Sequence, residues 1–369
     1  MLYQTENRHG GDIYGGIALD FSANVSPLGT PRSVTDAIER ALPELYRYPD
    51  PYCRTLVQTI SEYEGVPENF VLCGNGASEL IYAYCGAVRP KRAMELAPTF
   101  SEYSLALRRT GCEVVRFALK QEENFDLREN FLPILAREKI DALFLCNPNN
   151  PTGYLYTRRE MNQIRDLVKK YDLYLFSDEV YREYIYTGSP YISACHLEGI
   201  EQNVILIDSV SKRYSECGIR IGALITKNPD VRAAVMKLCQ ARLSPPLIGQ
   251  IVAEASLDAP EEYYRDVYDE YVERRKCLID GLNRIPGVYS PIPMGAFYTV
   301  AKLPVDDSEK FCRWCLEEFS YEGATVMLAP ASGFYTTPGA GKNEVRIAYV
   351  LKISDLQKAM EILSVALKT

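Results

Sequence analysis

Several features are rare or absent in this 369-residue sequence, and each absence excludes a class of protein. Only two histidines occur, His9 and His196, which nearly excludes histidine-rich metal sites. The net charge of -8 argues against nucleic acid or an anionic membrane as the main partner. No apolar run is long enough to span a bilayer, and the N-terminal segment lacks the apolar core of a secretory signal. The sequence therefore predicts a soluble globular protein.

Disulfide and zinc frameworks are also not indicated. The 11 cysteines are scattered and mostly lie within apolar helix or strand patterns, which fits reduced, buried thiols in a cytoplasmic protein. Only Cys312 and Cys315 have C-x-x-C spacing, within a helical pattern and without a second pair. We expect these two thiols to pack in the core, and we expect no metal site.

The pattern of apolar residues predicts two closely joined domains. From about residue 54 to 245, helical and strand-like segments alternate, and DALFLCNP is continuously apolar, as expected when both faces of a sheet are covered. This alternation predicts an α/β fold with a mostly parallel sheet and helices on both faces. The later elements indicate a smaller α+β domain. We divide the chain into an N-terminal segment (1–45), a large domain (46–250) and a small C-terminal domain (251–369).

Ligands of open α/β sheets bind beyond the carboxyl ends of the strands, so the residues that follow each strand are informative. Four predicted strands are followed by small or polar residues: Gly76, Ala77 and Ser78; Asn150; Asp178 and Tyr181; and Ser209, Ser211 and Lys212. The first group precedes a helix, whose free N–H groups favour an anion such as a phosphate. A plain tight turn is the alternative for that group taken alone.

Lys212 is the most informative of these residues. It lies in DSVSKRYSECGIRIG, between two apolar, β-rich stretches and eight residues before Arg220. Lysine is seldom placed beside a buried strand end unless something uses it. Burial, or the nearby cation, would lower its pKa and leave more free amine to attack a carbonyl and form a Schiff base. A solvated loop lysine is the alternative for this residue considered alone.

In this order and spacing, NPNNPTG, SDEVY and SVSK with the following Arg220 resemble the fold type I pyridoxal-phosphate enzymes, the aspartate aminotransferase superfamily. The resemblance covers nearly the whole chain and implies a seven-stranded, aspartate aminotransferase-like fold. It implies that Lys212 forms a Schiff base with pyridoxal 5'-phosphate and that Asp178 pairs with the pyridine nitrogen. Asn150 and Tyr181 would donate hydrogen bonds to the phenolic oxygen of the cofactor.

The same resemblance indicates which residues bind the cofactor phosphate and which residue stacks on the cofactor ring. The phosphate would rest on the Gly76–Ser78 backbone and on the side chains of Ser209, Ser211 and Arg220. Phe100, in APTF, matches an aromatic residue that stacks on the ring, and ordinary core packing is the alternative for it.

Three further residues are assigned to the substrate and to a second subunit. Arg346, in VRIAYV, matches an arginine that binds the substrate α-carboxylate through a bidentate pair, and Asn24 is assigned to substrate binding with it. Tyr48, in RYPDP, matches a tyrosine that reaches the neighbouring subunit's phosphate. The resemblance thus implies a cytoplasmic homodimer with shared active sites, acting in amino-acid biosynthesis.

The resemblance divides within the superfamily. HGGDIYG, DFSANVSPLGTP and RYPDP resemble threonine-phosphate decarboxylase and, less closely, histidinol-phosphate aminotransferase, whereas GAFYTV and VMLAPASGFY resemble bacterial aspartate-type aminotransferases. Families with phosphorylated substrates carry an arginine where this sequence reads ATVMLAP, and a buried phosphate without a cation would be costly. We therefore expect an aminotransferase acting on an amino acid and a 2-oxo acid. A decarboxylase of the threonine-phosphate type, in which His9 could take part, is the alternative.

Two other functions fit the sequence less well. A non-catalytic, cofactor-binding regulator would add a DNA-binding domain, and none is visible. A Rossmann dehydrogenase would need G-x-G-x-x-G, and GNGASE lacks the third glycine. The sequence does not identify the amino acid, although Arg8 and Arg242 are available cations for a distal carboxylate.

Overall fold

The computed structural model describes residues 19–22, 31–127, 131–335 and 337–369. Its strands are β1 (Leu19–Asp20), β2 (Val71–Gly74), β3 (Arg92–Ala97), β4 (Glu113–Ala118), β5 (Ala142–Cys146), β6 (Tyr174–Asp178), β7 (Val204–Ser209), β8 (Gly222–Ile225), β9 (Tyr298–Lys302), β10 (Val326–Met327), β11 (Ala329–Pro330) and β12 (Glu344–Ala348). Its α-helices are α1 (Arg32–Ala41), α2 (Arg54–Glu64), α3 (Ala77–Val88), α4 (Glu102–Arg109), α5 (Phe131–Glu138), α6 (Arg158–Tyr171), α7 (Val210–Arg213), α8 (Pro229–Cys239), α9 (Leu247–Leu257), α10 (Glu261–Leu282), α11 (Ser308–Glu317), α12 (Ser332–Tyr335) and α13 (Ile353–Ala366).

The centre of the molecule is a seven-stranded sheet with the order β2-β8-β7-β6-β5-β3-β4. Strand β8 runs antiparallel to both of its neighbours, and the other pairs are parallel. The predicted α/β class and mostly parallel sheet are therefore confirmed. Because consecutive strands are parallel, β5, β6 and β7 end at the same edge of the sheet, where Cys146, Asp178 and Ser209 are the last residues.

Both faces of this sheet are covered, which explains why its central strands are apolar throughout. Phe144 and Phe176, on adjacent strands, stack with their ring centroids 4.5 Å apart and contact Tyr84 of α3 on one face. The alternate residues Leu143 and Leu175 belong to a second cluster, which includes the buried side of α6. The resulting two apolar layers fix the sheet and hold its carboxyl edge in place.

The remaining five strands that the structure describes lie outside the large sheet. β11, β12 and β9 form a three-stranded antiparallel sheet, and β1 pairs with β10 in parallel. The long helix α10 packs beside α13. Strand β1 thus joins the N-terminal segment to the C-terminal strands. The domain boundaries at residues 45 and 250 stay predictions.

The two cysteines with C-x-x-C spacing lie on α11 and are buried in the core. This is the core packing expected from the sequence, because an amphipathic helix presents residues three apart on one face. Among the helices that the structure describes, none is both long and apolar enough to cross a membrane.

Candidate active site

A cavity lies at the carboxyl edge of the large sheet, beyond β5, β6 and β7. Ten residues predicted from the sequence line it together: Ala77, Ser78, Phe100, Asn150, Asp178, Tyr181, Ser209, Ser211, Lys212 and Arg220. Residues from distant parts of the sequence thus meet at the edge where parallel strands end, as the topology of open α/β sheets requires.

Lys212 lies on the one-turn helix α7, which follows β7 directly. The hydroxyl of Ser209 caps this helix by accepting a hydrogen bond from the Ser211 N–H at 3.1 Å. The carbonyl oxygen of Lys212 accepts a hydrogen bond from the Tyr184 hydroxyl at 2.7 Å. Burial lowers the pKa of the Lys212 amine below its ordinary value of 10.5, and the positive charges of Arg346 and Arg220 lower it further. A larger share of this amine is therefore neutral than for an exposed lysine.

Asp178 is the last residue of β6, and its carboxylate is buried. One carboxylate oxygen accepts a hydrogen bond from the Tyr103 hydroxyl at 2.6 Å, and the other accepts from the Val180 N–H at 3.3 Å. Burial raises the pKa of Asp178 to about 6, although both hydrogen bonds oppose that effect. The carboxylate is mostly ionised above this pH, and a cation beside it would stabilise that form.

The C-terminal strands contact two residues that line the cavity: Arg346 of β12 bonds to Asn150, and Tyr298 of β9 lies against Tyr181. Arg346 of β12 is buried, and its guanidinium donates to the Asn150 side-chain oxygen and to the Ser22 carbonyl oxygen, both at 3.2 Å. Its Nε has no hydrogen-bond partner among the described residues. The Tyr181 and Tyr298 hydroxyls lie 2.9 Å apart, and the guanidinium carbon lies 4.6 Å from the Tyr298 ring centroid. An unpaired N–H on a fixed guanidinium can bind a carboxylate.

The residues around the N-terminus of α3 are suited to an anion. Gly76 caps the N-terminus of α3 with a φ of 86°, and a Cβ at this position would lie 2.2 Å from an Nη of Arg220. Glycine therefore lets the guanidinium rest against the backbone where the helix begins. The hydroxyls of Ser209 and Ser211 are 2.9 Å apart beside it. A cation, two hydroxyls and a helix N-terminus together favour a bound phosphate.

Other residues named from the sequence lie elsewhere. Tyr48 does not line the cavity, and 89% of its surface is exposed. Arg242 forms an ion pair with Glu79 at 2.6 Å, so its guanidinium already has an anionic partner. His9, Arg8 and Asn24 lie outside the described residues.

The structure adds residues that the sequence did not reveal as part of the site. Tyr103, Cys146 and Cys217 also line the cavity. Tyr103 follows Phe100 by three residues across a turn, in which its N–H donates to the Phe100 carbonyl oxygen at 3.3 Å, and their rings are 5.5 Å apart; this short spacing was the available signal. No motif marks the two cysteines, which were interpreted only as buried core thiols.

Comparisons with known proteins agree with this fold. Residues 17–363 match the family model of class I and II aminotransferases, and the chain belongs to this family of fold type I, pyridoxal-phosphate-dependent enzymes. A threonine-phosphate decarboxylase of Salmonella typhimurium is 34% identical over 65% of this chain, and the match spans 64% of that relative's length. An aspartate aminotransferase of Bacillus subtilis is 25% identical over 94% of this chain and 90% of its own. The crystal structure of an aromatic aminotransferase from Pyrococcus horikoshii is 25% identical, with a TM-score of 0.84 over 95% of both chains. The predicted family and fold are confirmed.

Proposed function

We propose that this chain is an aminotransferase that uses pyridoxal 5'-phosphate to move an amino group between an amino acid and a 2-oxo acid. The observation that carries the proposal is that the Lys212 amine, whose pKa is lowered, and the buried Asp178 carboxylate line the same cavity. A lysine amine can act as a nucleophile and as a base in its neutral form, which a lowered pKa favours, and a buried carboxylate can stabilise a cation.

The described residues fit this cofactor. Its phosphate matches the N-terminus of α3, where Gly76 leaves room for the Arg220 guanidinium. Its ring nitrogen, when protonated, matches the Asp178 carboxylate. Phe100 also lines the cavity and offers a ring face, and Tyr181 offers a hydroxyl for the phenolic oxygen.

The chain's own residues supply binding, orientation and proton transfer. Pyridoxal phosphate, when bound, supplies an aldehyde that condenses with amines and a ring that accepts electrons from the substrate α-carbon. Arg346 would bind the α-carboxylate with its N–H groups and so orient the bond between the α-carbon and its hydrogen. Lys212, when neutral, would remove that proton at Nζ and later return it as an acid. The Asp178 carboxylate would stabilise the positive charge on the ring nitrogen.

A decarboxylase of the threonine-phosphate type is the second candidate, because the relative from Salmonella typhimurium carries that name. The same cofactor site would serve it, with the substrate turned so that its carboxylate rather than its hydrogen is lost. Against this candidate, residues 324–330 contain no lysine or arginine that could bind a substrate phosphate. The relative from Bacillus subtilis, which matches nearly the whole chain, is an aminotransferase, and this favours transamination.

A panel of amino acids tests both candidates. The full-length protein, loaded with pyridoxal phosphate, is incubated with each amino acid in the presence and absence of 2-oxoglutarate, and with threonine phosphate. We expect glutamate to form only when the oxo acid is present, and no carbon dioxide. Carbon dioxide release that needs no oxo acid would establish the decarboxylase instead. The Lys212→Ala variant is the matched control and should be inactive in either reaction.

We further propose that the enzyme is a homodimer that shares its active sites. Apolar side chains are exposed along one stretch of the described chain: Leu42, Leu45, Tyr46, Tyr48 and Tyr52. Gln250 donates a hydrogen bond to the Asp50 carbonyl oxygen at 3.2 Å, so this stretch is fixed to α9 rather than detached from the fold. Light scattering should give twice the chain mass, and Tyr48→Phe should weaken cofactor binding. A fully active monomer would contradict the shared site.

A further inference from the structure

Cys217 lies in the loop between α7 and β8, where it lines the cavity beside the predicted catalytic amine. Its sulfur is 3.7 Å from Nζ of Lys212 and 3.1 Å from the Ser211 carbonyl oxygen. Because the S–H group donates to that carbonyl, the sulfur lone pairs are left to accept an N–H of the amine. Ser215, which lies between Lys212 and Cys217 in the chain, adopts a left-handed conformation with a φ of 58°.

The charged groups that act on the Lys212 amine come from three parts of the fold. Arg346 of β12 and Arg220 of the same loop disfavour its protonated form, whereas Asp178 of β6 favours it. Burial disfavours the protonated form most strongly, and Cys217 opposes burial. The sulfur is therefore a hydrogen-bond acceptor at the one atom whose protonation decides whether Lys212 acts as a base.

We propose that Cys217 is a positioning residue for Lys212: its sulfur accepts a hydrogen bond from Nζ when this nitrogen is a free amine, and holds it at the cavity wall. The proposal rests on the function proposed above, in which the neutral Lys212 amine would remove a proton from the substrate. That amine needs a defined position, because a flexible lysine side chain loses conformational freedom when it acts as a base. Packing alone does not explain a cysteine here, since its side chain is only partly buried and faces the cavity.

The first test measures the Lys212 amine directly in the full-length, cofactor-free protein. The pH dependence of its labelling by an amine-selective reagent is followed by peptide mass spectrometry in wild type, Cys217→Ala and Cys217→Ser. Loss of the acceptor removes stabilisation of the ammonium form, so we expect the labelling midpoint of the alanine variant to fall by about half to one pH unit. The serine hydroxyl also accepts, so the serine variant should return towards wild type. Cys277→Ala, on α10, is the matched control and should leave the midpoint unchanged.

The second test uses the loaded enzyme. We expect Cys217→Ala to lower kcat about three- to tenfold with little change in KM, and the acidic limb of its pH profile to move to lower pH. An unchanged labelling midpoint, or a serine variant that behaves like alanine, would overturn the proposal. Labelling does not require catalysis, so it tests the Cys217–Lys212 contact even if the chain proves not to be an aminotransferase.

Discussion

Replacing Asp178 by Asn should make the cofactor-free protein more stable at alkaline pH while it weakens cofactor binding. Burial raises the pKa of this carboxyl from its ordinary value of 3.8 to about 6. Because the unfolded chain ionises near the ordinary value, the folded state loses roughly 3 kcal/mol at pH 8 by holding the ionised form. Asparagine removes this cost and can still accept the hydrogen bond from Tyr103. After the loss of charge-assisted bonding is counted, we expect a net gain of about 1–2 kcal/mol.

The gain in the free energy of unfolding of Asp178→Asn over wild type should increase with pH. Below the ordinary value of 3.8 the carboxyl of Asp178 is protonated in both the folded and unfolded states, so the ionisation cost is absent. The cost then increases as the pH rises towards about 6 and is constant above it. About half of it should be present at pH 5. Urea unfolding of wild type and Asp178→Asn at pH 5 and pH 8 measures this difference.

Two further measurements complete the experiment: unfolding in the presence of the cofactor, and unfolding of a surface variant as a control. Pyridoxal phosphate should stabilise wild type more than Asp178→Asn, because a ligand that binds the folded state adds a stability that increases with the logarithm of its affinity. Asp36→Asn, on the exposed side of α1, should change little at either pH. The argument from burial would be wrong if Asp178→Asn were less stable than wild type at pH 8. It would also be wrong if the difference in stability between the two proteins were the same at pH 5 and pH 8.

Three further predictions follow from single contacts. Arg346→Met should raise KM for the amino acid roughly 100-fold, because the proposed bidentate partner of the substrate carboxylate is lost, while the absorbance of bound cofactor is unchanged. An unchanged KM would exclude a role of Arg346 in binding the carboxylate. Arg213→Met should lower the free energy of unfolding, measured by urea titration, by about 2–3 kcal/mol, because it removes a buried ion pair of 2.7 Å with Asp208. An unchanged free energy of unfolding would mean that the pair contributes little. Gly76→Ala should weaken cofactor binding about tenfold or more in a fluorescence titration, because its Cβ would collide with Arg220; wild-type affinity would refute this.

Elements whose signals are local could be predicted from the sequence. Helix α2 ends at Gly65, which adopts a φ of 63°, and α6 begins with the Thr157–Glu160 capping box; a glycine after a helix and a Thr-x-x-Glu sequence before one are both local signals. The direction of β8 could not be predicted, because an apolar stretch looks the same in a parallel or antiparallel pair. The apolar segment 324–330 contains two strands, β10 and β11, which belong to two different sheets. Their partners lie far away in sequence, and local pattern does not specify them.

The same distinction applies to the candidate site. Residues in loops after the strands were found because sheet topology gathers them at one edge. The contact of Arg346 with Asn150 joins residues 196 positions apart, and only the resemblance suggested Arg346. Tyr103 and Cys217 have no motif, because their contribution depends on a hydrogen bond to another side chain. Residue type alone does not reveal such partners.

The most direct test of the account is to identify the amine that binds the cofactor aldehyde. The full-length protein is incubated with pyridoxal phosphate, treated with borohydride to fix the bond, digested and mapped by mass spectrometry. We expect the modification on the peptide that contains Lys212, and its loss in Lys212→Ala. Modification of a different lysine, or saturable cofactor binding that leaves Lys212 unmodified, would contradict the central claim.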